Sequence, residues 1–177
     1  GRSRYRVSLN GGECWVVQSG VGPQKARNAA RAVFAERVFS AAISSGFACA
    51  LRPATIGDIL IGTKVARVDI GNPTGPLDYV EVTGAERERW GAAFSIDEPG
   101  FRTISGDFIS LDRIVYRAAD KVALAQRTGA TGLDMESAAL AGEAKAAQVP
   151  FLIVRSVSDL LTEELPLDFN QIGRAHV

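Results

Sequence analysis

Two neighbouring segments in the last third of the sequence constrain the fold more than any other part of it. Residues 137–148 are rich in alanine and contain no proline, a pattern that predicts a helix. Residues 151–154 form a short apolar run after Pro150, which predicts a strand buried on both faces. In a parallel α/β sheet the crevice opens beyond the carboxyl ends of the strands. We therefore expect Glu136, before the helix, and Asp159, after the strand, to lie side by side; the alternative for Asp159 alone is a turn cap.

Composition bounds the class of protein. A chain of 177 residues, 46% of them hydrophobic, is long enough for one domain with a sizeable core. Its 20 basic and 20 acidic residues cancel, so no global field attracts nucleic acid or an anionic membrane. No apolar run approaches the roughly 20 residues that cross a bilayer. The expected partner is a small molecule rather than nucleic acid or membrane.

Cysteine and histidine usage narrows the chemistry. Cys14 and Cys49 have neither paired nor metal-ligand spacing, which predicts reduced, buried thiols in a cytosolic protein. The single histidine is His176, so neither a Ser-His-Asp triad nor a histidine-based metal site is available. The sequence predicts no metal and no resident cofactor.

The order of the remaining elements predicts one α/β domain with a mixed sheet. Asn10-Gly11-Gly12 lies between two short alternating runs and predicts a hairpin. The predicted strands cover residues 5–9, 13–18, 41–45, 58–69 and 101–110. The predicted helices cover residues 23–37, 85–94 and 118–128, the last closed by Gly129. Residues 46–51 and 71–76 are expected to be a loop and a turn-rich excursion.

The turn Ser19-Gly20-Val21-Gly22-Pro23 joins a predicted strand to a predicted helix. Its amides could face an anion at the helix N-terminus, although a simple tight turn explains the glycines equally well. A dinucleotide-binding fingerprint is disfavoured because Lys25 stands where the third glycine would be.

Two motifs carry a resemblance to a known family. Asp134-Met135-Glu136-Ser137 and Arg155-Ser156-Val157-Ser158-Asp159 stand at close to the separation found in the purine nucleoside phosphorylase and nucleosidase superfamily, which the sequence resembles. The similarity extends to its methylthioadenosine/S-adenosylhomocysteine nucleosidase-like and hopanoid-associated phosphorylase-like branches. It implies a three-layer α/β fold with a twisted mixed sheet flanked by helices.

The resemblance also implies roles for the motif residues in cleaving a purine N-ribosidic bond. Asp159 would be the general acid that protonates the leaving base, with Ser158 beside it at the substrate. Glu136 would stay ionised in the first turn of its helix and bind the ribose hydroxyls. Met135 would pack on the sugar, and Arg155 would help hold the nucleophile. Phosphate or water could attack, so inorganic phosphate is an alternative co-substrate.

Two further segments complete the implied site. Gly46, Phe47 and Ala48 resemble a glycine-rich loop beneath the ribose, where many members have a serine in place of Phe47. A phenylalanine cannot donate a hydrogen bond to phosphate, which puts ordinary phosphate binding in doubt. For the purine-facing strand end, Ser105-Gly106-Asp107-Phe108 competes with residues 110–115. We prefer the second segment, in which Ile114 would pack on the base and the Val115 backbone would meet its edge.

Against the family pattern, both ends of the sequence look cut. We expect residues 1–171 to be one nucleoside phosphorylase-like domain without its N-terminal strand and C-terminal helix, and residues 172–177 to be a non-native tail. The full-length parent would form a homo-oligomer, a dimer or larger, as family members usually do. The alternative function is an inactive fragment or a module that binds nucleosides without cleaving them.

Overall fold

The computed structural model describes residues 3–9, 11–69, 71–72, 75–82 and 102–166. Within these residues it contains eight strands and three helices. The strands are β1 (Arg4–Leu9), β2 (Gly12–Val17), β3 (Ala42–Ala50), β4 (Ile59–Arg67), β5 (Tyr79–Glu81), β6 (Thr103–Ser110), β7 (Gly132–Asp134) and β8 (Phe151–Leu160). The helices are α1 (Pro23–Phe34), α2 (Ala118–Thr128) and α3 (Ser137–Ala146).

Five strands close into a ring, and the hairpin β1–β2 forms a separate two-stranded sheet. Around the ring, β4 pairs with β6, β6 with β7, β7 with β3, β3 with β8, and β8 returns to β4. The pairings β3–β8, β4–β6 and β6–β7 are parallel, whereas β3–β7 and β4–β8 are antiparallel. Short β5 extends the sheet at the other end of β4. The predicted α/β fold with a mixed sheet is confirmed, and β8 has a neighbour on both sides.

Helices cover the sheet on two sides. One apolar cluster joins α3 to β4 and β8 through residues such as Leu60, Ala141 and Ile153. A second cluster brings Leu124 and Ala125 of α2 against Ile109 and other residues of the ring. Helix α1 packs on α3, where Arg31 forms an ion pair with Glu143 at 2.9 Å. The strands are thus held between helices, as the three-layer fold requires.

The predicted loop at residues 46–51 is wrong for its first five residues. Strand β3 continues to Ala50, because β8 is also longer than its apolar run and pairs with β3 from Ala42 to Ala50. Helices α1 and α3 end three and two residues earlier than predicted, at Phe34 and Ala146, whereas α2 has the predicted bounds. The predicted helix at residues 85–94 and the tail at residues 172–177 lie outside the described residues, as do two residues of the excursion at 71–76.

None of the helices in the described part of the chain is long and apolar enough to cross a membrane. The same residues contain no group of three or more His, Cys, Asp or Glu side chains that could bind a metal ion.

Candidate functional site

The centre of the candidate site is the junction between β7 and α3. Asp134 ends the strand with its side chain 1% exposed, and its Oδ1 accepts hydrogen bonds from the backbone N–H groups of Glu136 (3.2 Å) and Ser137 (3.1 Å). Ser110, at the end of β6, donates its hydroxyl to the same oxygen. The helix start is therefore fixed by a buried carboxylate, which satisfies amides that have no partner within the helix.

Arg155 supplies the cation that this buried carboxylate needs. Its Nη2 lies 2.8 Å from Asp134 Oδ2 and donates to the hydroxyls of Ser44 (2.8 Å) and Ser137 (3.1 Å). The Ser137 hydroxyl is itself bonded to Asp134. This buried network, formed by Asp134, Arg155, Ser44 and Ser137, joins β3, β7, β8 and α3 at one point. A charge pair that is removed from water in this way needs such additional hydrogen bonds to offset its desolvation.

Gly46 makes room for the arginine. It pairs with Arg155 across the two parallel strands, and a Cβ atom at position 46 would lie 2.5 Å from Arg155 Nη1. Its φ of +151° also lies in a region that side-chain-bearing residues rarely adopt. Position 46 thus requires glycine because of the buried arginine beside it.

Glu136 lies at the edge of the buried network, at the N-cap of α3. Its Oε1 accepts a hydrogen bond from the Gly22 N–H at 2.7 Å, and its Oε2 is 3.8 Å from Arg155 Nη2. Burial raises the pKa of the Glu136 carboxyl, opposed by the Gly22 N–H, and the Asp134 carboxylate raises it further while Arg155 lowers it. The helix start alone suggested a carboxyl that is readily ionised, and the structure adds a desolvation that acts against ionisation.

The glycine turn before α1 has a specific partner. Gly22 has a φ of 97°, which favours glycine, and Pro23 occupies the first helical position. Of the two interpretations of this turn, the structure supports an amide that faces an anion, and here the anion is the Glu136 carboxylate of the same chain. The turn therefore contributes to the position of a candidate site residue.

Asp159 lies on β8, four residues after Arg155, and has a different environment. Its Oδ2 is 2.6 Å from Lys121 Nζ of α2, and its Oδ1 accepts from the Ser158 hydroxyl at 2.9 Å. The pairing register of β8 with β3 shifts by one residue just before Asp159. This bulge interrupts the alternation of side chains between the two faces of the sheet in the segment between Arg155 and Asp159. The structure therefore brings Glu136 and Arg155 together, whereas Asp159 contacts α2. Its catalytic role stays a prediction.

The other predicted substrate-binding residues lie on β3 and at two junctions of the sheet with helices. Phe47 on β3 is 72% exposed, and the Ala48 carbonyl accepts from the Ser158 hydroxyl at 3.3 Å. Val115 packs against the second apolar cluster, and Ile114 is half-buried beside it in the segment that leads to α2.

The preferred purine-facing segment begins at the buried network. Ser110, its first residue, contacts Asp134, and the Leu111 N–H donates to the Asp134 carbonyl at 3.0 Å. The competing Asp107 is inside β6 and accepts from Thr63 at 2.7 Å. Met135 lines a cavity of about 80 Å³ next to Ser110, near the start of α1. The segment from Ser110 is therefore the one that adjoins Glu136.

Sequence reasoning missed two participants. Ser44 belongs to the predicted strand 41–45 and to the segment that resembles the family's glycine-rich loop, but neither prediction gave it a contact with Arg155. Lys121 lies in the predicted helix 118–128, and its side chain is fully buried. The available signal was a single lysine beside the apolar residues of this helix. If that part of the helix is buried, the lysine needs a partner, because a lysine is almost never fully buried without one.

Comparisons with known proteins identify the family to which this chain belongs. The sequence matches the phosphorylase superfamily over residues 1–176. A 5′-methylthioadenosine/S-adenosylhomocysteine nucleosidase of Glaesserella parasuis is 28% identical over 94% of this chain and 76% of the relative. An aminodeoxyfutalosine nucleosidase of Campylobacter jejuni is 28% identical over 74% of this chain and 61% of the relative.

Solved structures agree on the fold. A 5′-methylthioadenosine/S-adenosylhomocysteine nucleosidase from Neisseria meningitidis, in complex with methylthio-immucillin-A, superimposes with a TM-score of 0.78 at 25% identity over 96% of this chain and 78% of that one. A Colwellia psychrerythraea nucleosidase with adenine bound has a TM-score of 0.82 at 20% identity, over 97% and 75% of the two chains. This chain belongs to the phosphorylase superfamily, and the curated relatives named here are nucleosidases.

Proposed function

We propose that this protein hydrolyses the N-glycosidic bond of a purine nucleoside whose ribose carries a 5′ substituent. The observation that carries the proposal is the Glu136 carboxylate, held at the start of α3 between the Gly22 amide and Arg155. The relatives named as nucleosidases for 5′-methylthioadenosine and S-adenosylhomocysteine support the class of substrate.

Glu136 would bind the ribose and stabilise positive charge at its anomeric carbon. As the C1′–N9 bond breaks, its electron pair leaves with the base and the ribose becomes an oxocarbenium-like cation. A fixed carboxylate in a partly desolvated position interacts strongly with such a charge. Arg155 would act through Glu136, because its Nη2 is bonded to the buried network and lies within 4 Å of the glutamate. We therefore assign Arg155 the role of a positioning residue.

Asp159 would supply the proton that the departing base needs at a ring nitrogen. Water would then add its oxygen to C1′ and release a proton that restores the acid. In the structure Asp159 is partly buried, with its side chain 14% exposed at the end of β8. Ser158, which donates to it, would align it towards the base.

Water is favoured over phosphate as the nucleophile. Phe47 offers no hydrogen bond where many members of the superfamily have a serine, and the curated relatives named above are nucleosidases. Phe47→Ser tests this choice. If Phe47 excludes phosphate, the substitution makes the rate of base release more dependent on phosphate concentration, while the unchanged protein shows no such dependence.

The decisive assay measures adenine release from 5′-methylthioadenosine, with and without phosphate, together with nucleoside binding by calorimetry. We expect Asp159→Asn and Glu136→Gln each to lower kcat by roughly 100-fold or more. Glu81→Gln, which changes an exposed glutamate on β5, serves as the matched control and should leave kcat unchanged. Binding of adenosine derivatives without any base release would replace the hydrolase proposal with a nucleoside-binding module.

A further inference from the structure

Lys121 is a fully buried lysine whose three donors are all used. Its side chain is 0% exposed, and Nζ contacts Asp159 Oδ2 at 2.6 Å, the Leu160 carbonyl at 3.2 Å and the Glu163 carbonyl at 2.9 Å. An ammonium group has three protons, and its burial is costly unless each proton has an acceptor. The chain meets this requirement by wrapping the end of β8 and the residues after it around one nitrogen.

We propose that Lys121 is the positioning residue for Asp159, which rests on the hydrolase function proposed above. The contact to the carboxylate fixes one oxygen of Asp159, and the two carbonyl contacts fix the backbone on its C-terminal side. Ser158 holds the other carboxylate oxygen. The acid is thus oriented from α2, an element that contributes no other residue to the proposed site.

The charge of Lys121 matters as well as its reach. Asp159 Oδ2 faces the ammonium at 2.6 Å and Oδ1 accepts from Ser158, so the structure holds the carboxylate form. This is the form that remains once a proton taken up from solvent has passed through Asp159 to the base, and the ammonium stabilises it. The neighbouring titratable groups are the Cys49 thiol on β3 and the Glu163 carboxylate after β8. Burial raises the pKa of Cys49, so this thiol stays neutral, and Glu163 accepts from the Leu160 N–H at 3.2 Å. Lys121 therefore supplies the positive charge that faces Asp159.

A purely structural role, in which Lys121 only ties α2 to β8, predicts different kinetics. A positioning role acts through Asp159, so its loss has little effect once Asp159 can no longer donate a proton. If Lys121 only holds α2 against β8, its loss lowers kcat by the same factor in the protein with Asp159 and in the Asp159→Asn variant. A double-mutant cycle separates the two cases because it measures the coupling between the residues.

The cycle compares the kcat of adenine release for Lys121→Met, Asp159→Asn and the double variant. We expect Lys121→Met to lower kcat by roughly 10-fold or more with KM within about twofold, and to cost less than about twofold in the Asp159→Asn background. Lys121→Arg keeps the charge and should recover most of the rate. Lys145→Met, at an exposed position on α3, is the matched control and should match the unchanged protein.

Circular dichroism checks that each variant is folded, and Lys121→Gln replaces Lys121→Met if the latter unfolds. Equal losses in both backgrounds, or a rise in KM with kcat unchanged, would overturn the positioning role while leaving the hydrolase function intact. If the wild-type protein releases no adenine, both proposals are overturned. The two failures are therefore distinguishable in one data set.

Discussion

Arg155→Met tests whether the buried network holds the fold together. The substitution keeps an unbranched side chain but leaves the Asp134 carboxylate, 1% exposed, without the cation that lies 2.8 Å away. It also removes the donor to Ser44 and Ser137. Removal of one partner of a buried ion pair costs about 3–5 kcal/mol, because the remaining charge is left uncompensated. We expect a loss of this size in the free energy of unfolding, about two to three and a half powers of ten in the folding equilibrium constant.

The assay is urea unfolding followed by circular dichroism at pH 7. Arg31→Met is the matched control, since Arg31 also pairs with a carboxylate at 2.9 Å but its side chain is 64% exposed. Because water screens a pair whose cation is exposed, we expect this control to lose less than about 1 kcal/mol. Adding Asp134→Asn to Arg155→Met removes the orphaned charge and should recover at least roughly 1 kcal/mol.

Two results would refute this reasoning. One is an Arg155→Met variant that is no less stable than Arg31→Met, since burial would then not magnify the loss. The other is strict additivity of Arg155→Met and Asp134→Asn, which would show that the two residues stabilise the chain independently.

Three further predictions test packing and burial at individual positions. Gly46→Ala places a Cβ 2.5 Å from Arg155 Nη1 at a φ of +151°, and we expect urea unfolding to show a loss of about 1–3 kcal/mol. Because folding raises the pKa of Glu136, its contribution to stability falls as the pH rises above the ordinary value of 4.5, and Glu136→Gln should remove this part of the pH dependence of the urea midpoint. Buried Cys49, whose pKa burial raises, should react with a thiol reagent far more slowly than half-buried Cys14.

Each of these predictions has its own control. Gly142→Ala lies on α3, where the added Cβ would have no atom within 4 Å apart from its chain neighbours and the backbone of its own helix, and it should leave stability unchanged or raise it slightly. A Glu136→Gln variant that keeps the full pH dependence would show that another carboxyl is responsible. If the two thiols are labelled at equal rates in the native protein, the burial argument is contradicted. A difference in rate that is present in the native protein and disappears in urea supports it.

The elements that sequence reasoning predicted best are those with a strong local signal. The apolar run after Pro150 and the alanine-rich segment before it gave β8 and α3 in the right order, and the hairpin followed from Asn10-Gly11-Gly12. Glu136 was expected beside Asp159, and the structure places it 3.8 Å from Arg155, another residue of the second motif. These features depend on periodicity and turn chemistry, which are visible in one sequence.

What sequence reasoning could not find depends on contacts between distant segments. The antiparallel pairing of β4 with β8 closes the ring, but no residue pattern in either strand predicts that the two strands pair. The extension of β3 from Gly46 to Ala50 was missed because glycine and small residues suggest a loop when no partner strand is known. The partnership of Lys121 with Asp159 spans 38 residues and arises only when α2 packs against the end of β8.

The closed ring has a consequence for how this protein exchanges its amide hydrogens. Strand β8 pairs with β3 along its length and with β4 at residues 153–156, so the amides of this central part are not freed by fraying at a sheet edge. Exchange there requires cooperative opening of the ring, and the slowest amides of β8 should report the global free energy of unfolding. The part of β8 that carries Arg155 therefore loses its geometry only when the domain itself opens, and a ligand that binds there should slow exchange throughout the ring.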